Sequence, residues 1–184
     1  KLIGEDLIFW LKICNIKGIG PSKLIKIVSR FRTLDNVKNS NYQELLRSRL
    51  FNEEQVEELE KLKKASDDNF IKIINQCKEN KIEIIPLVDD EFPDKLKILP
   101  YPPKTLFIKG NKSLLYSKSN IAMVGSRKSM PEANEWTFDI AKRLTESNFN
   151  IVSGGAKGID INSHKGALSS NGKTICVFGT GLLN

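Results

Sequence analysis

Glycine-rich turns that carry a cation are the part of this sequence best suited to bind a phosphate. Residues 125–127 read Gly-Ser-Arg, and residues 153–158 read Ser-Gly-Gly-Ala-Lys-Gly. Glycines let a ligand approach the backbone, whose N–H groups can then donate hydrogen bonds to phosphate oxygens. Arg127 offers a planar fork of donors, whereas Lys157 offers a point charge. The two turns therefore predict an anion site; the alternative is a surface arginine and a solvated loop lysine beside structural turns.

A third turn, Gly-Thr-Gly at residues 179–181, follows another short apolar run. None of the three turns matches the Walker A pattern or the G-x-G-x-x-G pattern, so neither nucleotide hydrolysis nor a dinucleotide cofactor is predicted. The candidate phosphate-binding residues are Gly125, Ser126, Arg127, Ser153, Gly154, Gly155, Lys157, Gly158, Gly179 and Gly181.

Asp160 and the single histidine, His164, lie four residues apart and would share one face of a helix. Such a pair could be catalytic, but no serine or cysteine nucleophile stands at a persuasive spacing from it. We expect Asp160 to cap or hold the second glycine turn and His164 to support that turn. We therefore predict that the protein is not an enzyme and that it uses no metal and no cofactor.

Three short apolar runs, at residues 121–124, 150–152 and 174–178, end in these turns, and segments of helical length separate them. This pattern is typical of a parallel sheet with crossover helices, in which ligands bind beyond the carboxyl ends of the strands. A helix is predicted over residues 131–145, between the first two strands. The residues predicted on its packed face are Trp136, Ile140 and Leu144.

Residues 1–80 have the apolar spacing of helices, and Asn52 with Gln55 fits a capping box at the start of one of them. Two glycines before a proline resemble the turn of a helix-hairpin-helix, whose exposed N–H groups can hold a DNA phosphate. The alternative is a helical hairpin that uses its glycines only to turn. The residues of this second candidate DNA contact are Gly18, Gly20 and Lys23.

Residues 81–118 read as an extended lead-in with short strands at 82–88 and 105–109. We expect this segment to pack against the parallel sheet and its acidic turn, residues 89–91, to face water. The predicted fold class is therefore α/β. A helical domain over residues 1–80 precedes a partial Rossmann-like domain over residues 81–184.

The composition favours a polyanionic partner. The net charge is +7 and the pI is about 9.3, and residues 111–184 contain 9 basic and 5 acidic residues. No apolar run approaches the roughly 20 residues that a membrane span needs. Cys14, Cys77 and Cys176 lie in separate apolar segments without metal-ligand spacing, so we expect free thiols in the cytoplasm.

The glycine turns and their surroundings closely resemble the DprA/Smf family, the bacterial DNA-processing proteins of natural transformation. The family pattern reads V-G-S-R, then S-G-L-A-(R/K)-G-I-D-x-x-A-H-x-G-A-L, then T-I-A-V-L-G-x-G-L. Gly155 stands where the pattern has leucine, and Leu183 stands where the family has aspartate. The segments that resemble the family are residues 124–127, 153–168 and 174–182, with residues 92–96 and 103–110 upstream.

The resemblance implies a protein that binds single-stranded DNA without strong sequence preference, protects it, and helps to load the RecA recombinase onto it. By position, Arg127 and Lys157 would contact DNA phosphates. The helical part looks like the family's SAM-like domain. The resemblance further implies a homodimer when full length and more strands after residue 184. The sheet is thus expected to be truncated, with an exposed edge that favours dimerisation.

Two other classes of function stay open. A nucleotide-binding or phosphoribohydrolase-like enzyme on a related Rossmann-like fold would also use glycine turns, but its P-G-G-x-G-T-x-x-E segment is absent from this sequence. A protein-docking module would bind a partner through the helical domain and leave the sheet without a ligand.

Overall fold

The computed structural model describes residues 1–183 and divides the chain into two units, Lys1–Gly110 and Asn111–Asn184. The predicted domain boundary at residue 80 falls inside the first of these units. The two boundaries differ because the segment from residue 82 to residue 109 packs with the helices that precede it.

Six helices build most of the N-terminal unit, and local capping sets several of their starts. Asn52 and Gln55 form the predicted capping box, in which each side chain accepts a hydrogen bond from the other residue's backbone N–H. Pro21 occupies the first turn of the second helix, where a missing N–H is tolerated. The helices are α1 (Gly4–Cys14), α2 (Pro21–Phe31), α3 (Leu34–Asn39), α4 (Tyr42–Arg47), α5 (Glu53–Lys64) and α6 (Asp68–Glu79).

An antiparallel strand pair completes the N-terminal unit. The buried indole of Trp10 in α1 donates from Nε1 to Thr105 Oγ1 at 2.9 Å, and Lys104 Nζ donates to the carbonyl of Cys14 at 2.6 Å. These bonds hold the pair on the helices of its own unit, and its predicted packing against the parallel sheet stays a prediction. The elements are β1 (Ile82–Pro86), α7 (Asp94–Lys97) and β2 (Thr105–Lys109).

The acidic turn after β1 does not simply face water. Asp89 is buried and accepts hydrogen bonds from the backbone N–H groups of Leu2 and Glu91, each at 3.2 Å. Its carboxylate therefore closes its own turn, which is a frequent role of aspartate. Asp90 is the exposed member of the turn.

The C-terminal unit contains the predicted parallel sheet. Its three strands are hydrogen-bonded in the order β3, β4, β5, and both pairings are parallel. One crossover helix follows each of the first two strands, so this part of the chain is a three-stranded Rossmann-like sheet. The elements are β3 (Asn120–Ala122), α8 (Pro131–Glu146), β4 (Asn150–Gly154), α9 (Ile159–Ser169) and β5 (Thr174–Val177), preceded by a 3-10 turn at Lys112–Tyr116.

The core of this unit lies between β4 and the two helices. Ile151 on β4 packs with Ala141 of α8 and Ala167 of α9, all three fully buried. A Cβ built on Gly166 would lie 2.2 Å from the carbonyl oxygen of Phe138, so the two helices approach each other closely through small residues.

The packed face of α8 differs from the predicted one. Trp136 is 76% exposed and Ile140 is 47% exposed, whereas Thr137, Ala141 and Thr145 are buried. Leu144, the third residue predicted on the packed face, does pack against the core as a half-buried side chain. The close approach of α9 at Gly166 leaves room for small side chains there, so Trp136 and Ile140 lie on the outer face. The apolar spacing predicted the helix and the packing of Leu144 correctly, and the directions of Trp136 and Ile140 wrongly.

The sheet face opposite Ile151 carries apolar residues that are partly open to solvent. Side chains alternate along a strand, and the register sets Ala122, Val152 and Ile175 side by side on that face. Further along it, Val124 is 74% exposed and Val177 is 60% exposed. Among the helices of residues 1–183, none has the length and hydropathy of a membrane span.

Candidate nucleic-acid interface

The first two glycine loops lie against each other. The first glycine loop, residues 125–129, follows β3, and the second, residues 154–158, ends at the start of α9. The backbone N–H of Ile159 donates to the carbonyl of Ser126 at 3.2 Å. A Cβ on Gly158 would lie 2.2 Å from that same oxygen, and Gly158 has a φ of +81°. Only glycine fits this position without strain, because residue 158 has a positive φ and the backbone of the first loop occupies the space of a Cβ.

Gly125 permits the matching approach from the other side. A Cβ there would lie 2.6 Å from Cγ1 of Ile159, the first residue of α9. The Ser126 hydroxyl accepts a hydrogen bond from the backbone N–H of Lys128 at 3.1 Å, which folds the first loop on itself. The two loops therefore form one surface beside the N-terminal end of α9, and the dipole of a helix favours an anion at that end.

Two exposed cations flank this surface. Arg127 in the first loop and Lys157 in the second are both exposed. Neither side chain hydrogen-bonds or ion-pairs with another residue of the described chain. Lys128 is a third exposed cation in the first loop; the sequence interpretation missed it, although its adjacency to Arg127 was visible.

Ser153 is turned into the sheet. It is 3% exposed, and its hydroxyl donates to the carbonyl of Met123 at 2.5 Å. This bond joins the end of β4 to the segment that follows β3. Ser153 thus supports the loops from below, whereas the other candidates of the second loop lie nearer the surface.

His164 anchors the second loop from beneath. Its Nε2 lies 2.9 Å from the carbonyl oxygen of Gly154, and because a carbonyl only accepts, Nε2 carries the hydrogen. Its Nδ1 lies 2.6 Å from Thr174 Oγ1, whose hydroxyl lies 2.9 Å from the carbonyl of Ile151 and can donate to it. The imidazole therefore links β5 to the end of β4 and fixes the start of the loop.

Asp160 is buried under the same loop. A Cβ on Gly154 would lie 2.5 Å from Asp160 Oδ2, so the carboxylate occupies the space beside that glycine. It does not cap α9: the N-cap position is Gly158, without a side-chain cap bond. Burial, and secondly the Asp160 charge, raise the pKa of the Cys176 thiol.

The third glycine loop follows β5, and Gly179 and Gly181 are both exposed. The residue before it, Phe178, reaches the second loop: a Cβ on Gly155 would lie 2.6 Å from Cε1 of its ring. The ends of all three strands thus contribute to one surface, as the topology of a parallel sheet requires.

The helical-hairpin turn of the N-terminal unit is closed by Gln55. Gln55 Nε2 donates to the carbonyl of Lys17 at 3.1 Å, and a Cβ on Gly18 would lie 2.8 Å from that nitrogen. Lys23 Nζ donates to Gln55 Oε1 at 2.6 Å. Burial lowers the pKa of Lys23. Gly20 serves as the N-cap of α2 with open space around it.

The class that the C-terminal unit defines is a Rossmann-like α/β protein with glycine loops at the carboxyl ends of its strands. Residues 83–184 match the family of DNA recombination-mediator protein A, and the chain belongs to this family. The resemblance seen in the glycine turns is thereby confirmed.

Curated proteins named Smf or DprA are similar in sequence to this chain. Protein Smf of Synechocystis is 29% identical over an alignment of 184 positions that covers 98% of this chain and 46% of that protein. DNA processing protein DprA of Streptococcus pneumoniae is 42% identical over 96 residues, which are 52% of this chain and 33% of that protein. The chain thus spans less than half the length of these relatives.

A solved structure shares the fold. The X-ray structure of DNA processing protein A (DprA) from Streptococcus pneumoniae aligns with a TM-score of 0.74 and 26% identity. The alignment covers 96% of this chain and 59% of that one. It includes both units of this chain, so the helical part as well as the parallel sheet has a counterpart there.

Proposed function

We propose that this chain binds single-stranded DNA through phosphate contacts at its glycine loops. The observation that carries the proposal is the position of Arg127 and Lys157 on two loops that touch each other. Both side chains are exposed and lack a polar partner among residues 1–183. Such cations can neutralise phosphates without first breaking an internal ion pair, and membership of a DNA recombination-mediator family supports DNA as the polyanion.

Binding of this kind has no strong sequence preference. Backbone N–H groups and cations meet the sugar-phosphate chain, which is the same at every nucleotide. The affinity falls steeply with salt, because each neutralised phosphate releases counterions.

The same site is better suited to binding than to catalysis. The titratable pair that the sequence singled out, Asp160 with His164, is buried beneath the loops. Both ring nitrogens of His164 lie within hydrogen-bond distance of other protein atoms, so neither is directed at a substrate. These contacts fit a role in holding the loop.

In the wider setting of the family, we propose that the full-length cytoplasmic protein protects incoming single strands and promotes RecA loading during natural transformation, as a homodimer. A RecA filament-assembly assay on protein-coated single strands tests this part. Full-length protein that leaves the assembly rate unchanged would count against it.

The site itself is tested by titrating a fluorescently labelled oligo(dT) strand into the protein at two salt concentrations. Arg127→Ala and Lys157→Ala are expected to weaken binding by about 1–3 kcal/mol each. Each should also reduce the slope of log K against log salt by about 0.7, the value for one phosphate on a single strand.

Matched control residues lie at the N-terminal ends of the strands, away from the glycine loops. Arg143 lies in the last turn of α8 and Lys173 immediately before β5, and both are exposed. Arg143→Ala and Lys173→Ala remove the same charges and should leave affinity within about 0.5 kcal/mol. Equal losses in the control and loop variants would show that net charge, and not the loops, holds the DNA.

A further inference from the structure

Phe178 has an exposed aromatic ring at the edge of the second glycine loop. It directly follows β5 and is 51% exposed. A Cβ on Gly155 would lie 2.6 Å from its Cε1 and 2.9 Å from its Cδ1. The edge of the ring therefore rests against the bare backbone of Gly155, in space that any side chain at residue 155 would take.

Gly155 and Phe178 fit each other in this chain. The loop backbone at Gly155 carries no side chain, and the ring of Phe178 lies in the space that one would occupy. The loop backbone therefore has a π surface beside it.

The position of the ring relative to the cations decides what it can bind. Gly155 is two residues from Lys157, and two residues span at most about 7 Å of chain. The next residue, Gly158, touches the first loop at Ser126. The exposed ring thus lies beside the loop surface that would hold phosphates, within the reach of one nucleotide.

We infer that Phe178 is a stacking surface for a nucleobase of the bound strand. This inference rests on the proposed function, because the base is delivered by the strand whose phosphates the loops hold. Stacking on an aromatic ring tolerates every base, since each has a π face, so it adds affinity without adding sequence preference. The alternative is that the ring only covers the backbone of the second glycine loop.

The test compares two labelled strands of equal length, oligo(dT) and an abasic deoxyribose-phosphate strand, by fluorescence anisotropy. Phe178→Leu keeps an apolar cover but removes the aromatic ring. We expect it to weaken binding of oligo(dT) by about 5- to 150-fold and to leave binding of the abasic strand unchanged. Phe178→Tyr should restore oligo(dT) binding, because it restores the ring.

Phe149→Leu is the matched control, because Phe149 is 37% exposed and lies just before β4, at the other end of that strand. It should change neither affinity. Circular dichroism melting of each variant shows whether the fold is kept.

Two outcomes separate the failure of this inference from the failure of the proposed function. If the unaltered protein binds both strands, Arg127→Ala weakens both, and Phe178→Leu changes neither or both equally, the stacking role is overturned and the phosphate site stands. If the unaltered protein binds neither strand, or Arg127→Ala leaves both affinities unchanged, the phosphate site is overturned, and the stacking role with it.

Discussion

Two of the glycine turns that precede helices, one in each unit, differ in what fills the space beside the glycine and in whether the neighbouring cation has a partner. In the helical hairpin, the space beside Gly18 is filled by Gln55, which also binds the nearby cation Lys23. In the C-terminal unit, the space beside Gly155 is filled by the ring of Phe178, and Lys157 has no partner within residues 1–183. Glycines before a helix therefore do not by themselves indicate a ligand. Whether the neighbouring cation already has a polar partner is a better indication of a ligand site.

The largest expected effect is that of Gly158→Ala. A side chain at residue 158 forces a positive φ on alanine and meets the Ser126 carbonyl, so the C-terminal unit should lose about 2–5 kcal/mol of stability. Hydrogen exchange of peptides from residues 150–170 measures the loss within that unit. Gly179→Ala is the control, since its Cβ would meet open space. Equal effects of the two substitutions would contradict the proposed closeness of the loops.

The second effect concerns the ring that fills the space at Gly155. Gly155→Leu should destabilise the C-terminal unit by about 1–3 kcal/mol through overpacking against Phe178. The double variant Gly155→Leu with Phe178→Leu should recover most of that loss, which a double-mutant cycle in guanidinium unfolding measures. Strict additivity would show that the two residues are not in contact.

The third effect concerns the side chain that closes the hairpin turn. Gln55→Ala removes the partners of Lys23 and of the Lys17 carbonyl, and one half of a capping box. We expect a loss of about 1–2 kcal/mol in the free energy of unfolding of the N-terminal unit. Glu44→Ala, at the same position of the exposed capping box of α4, is the control and should cost less. If Glu44→Ala lost more free energy of unfolding than Gln55→Ala, the proposed role of Gln55 in closing the turn would be contradicted.

The smallest expected effect tests whether the hairpin turn, unlike the second glycine loop, is free of DNA contact. Lys23→Ala should change the affinity for oligo(dT) by less than about 0.5 kcal/mol, because this ammonium group is already bound to Gln55. Anisotropy titration beside Lys157→Ala measures both. A loss as large as that of Lys157→Ala would make the hairpin a second DNA contact, as the resemblance to a helix-hairpin-helix first suggested.

Features set by neighbouring residues could be predicted from the sequence. The Asn52–Gln55 capping box and the three parallel strands depend on short-range patterns, and both are present. The inward direction of Ser153 was also open to prediction, because it lies two residues after the core residue Ile151 on the same strand.

Features set by distant residues could not be predicted in this way. The outward face of Trp136 follows from the close approach of α9 at Gly166, thirty residues later. The place of the β1–β2 pair follows from the bond between Trp10 and Thr105. Phe178 could not be assigned to the loop surface for the same reason, since its contact with Gly155 joins two strand ends.

The link between His164 and the Gly154 carbonyl gives this protein a built-in spectroscopic probe. The chain contains one histidine, so its ring signals in an NMR spectrum need no assignment by mutagenesis. The Nε2 proton is held against a carbonyl and shielded from solvent, which should slow its exchange enough for direct detection. Any ligand that pulls on the second loop must shift this one resonance, whichever strand or nucleotide it is.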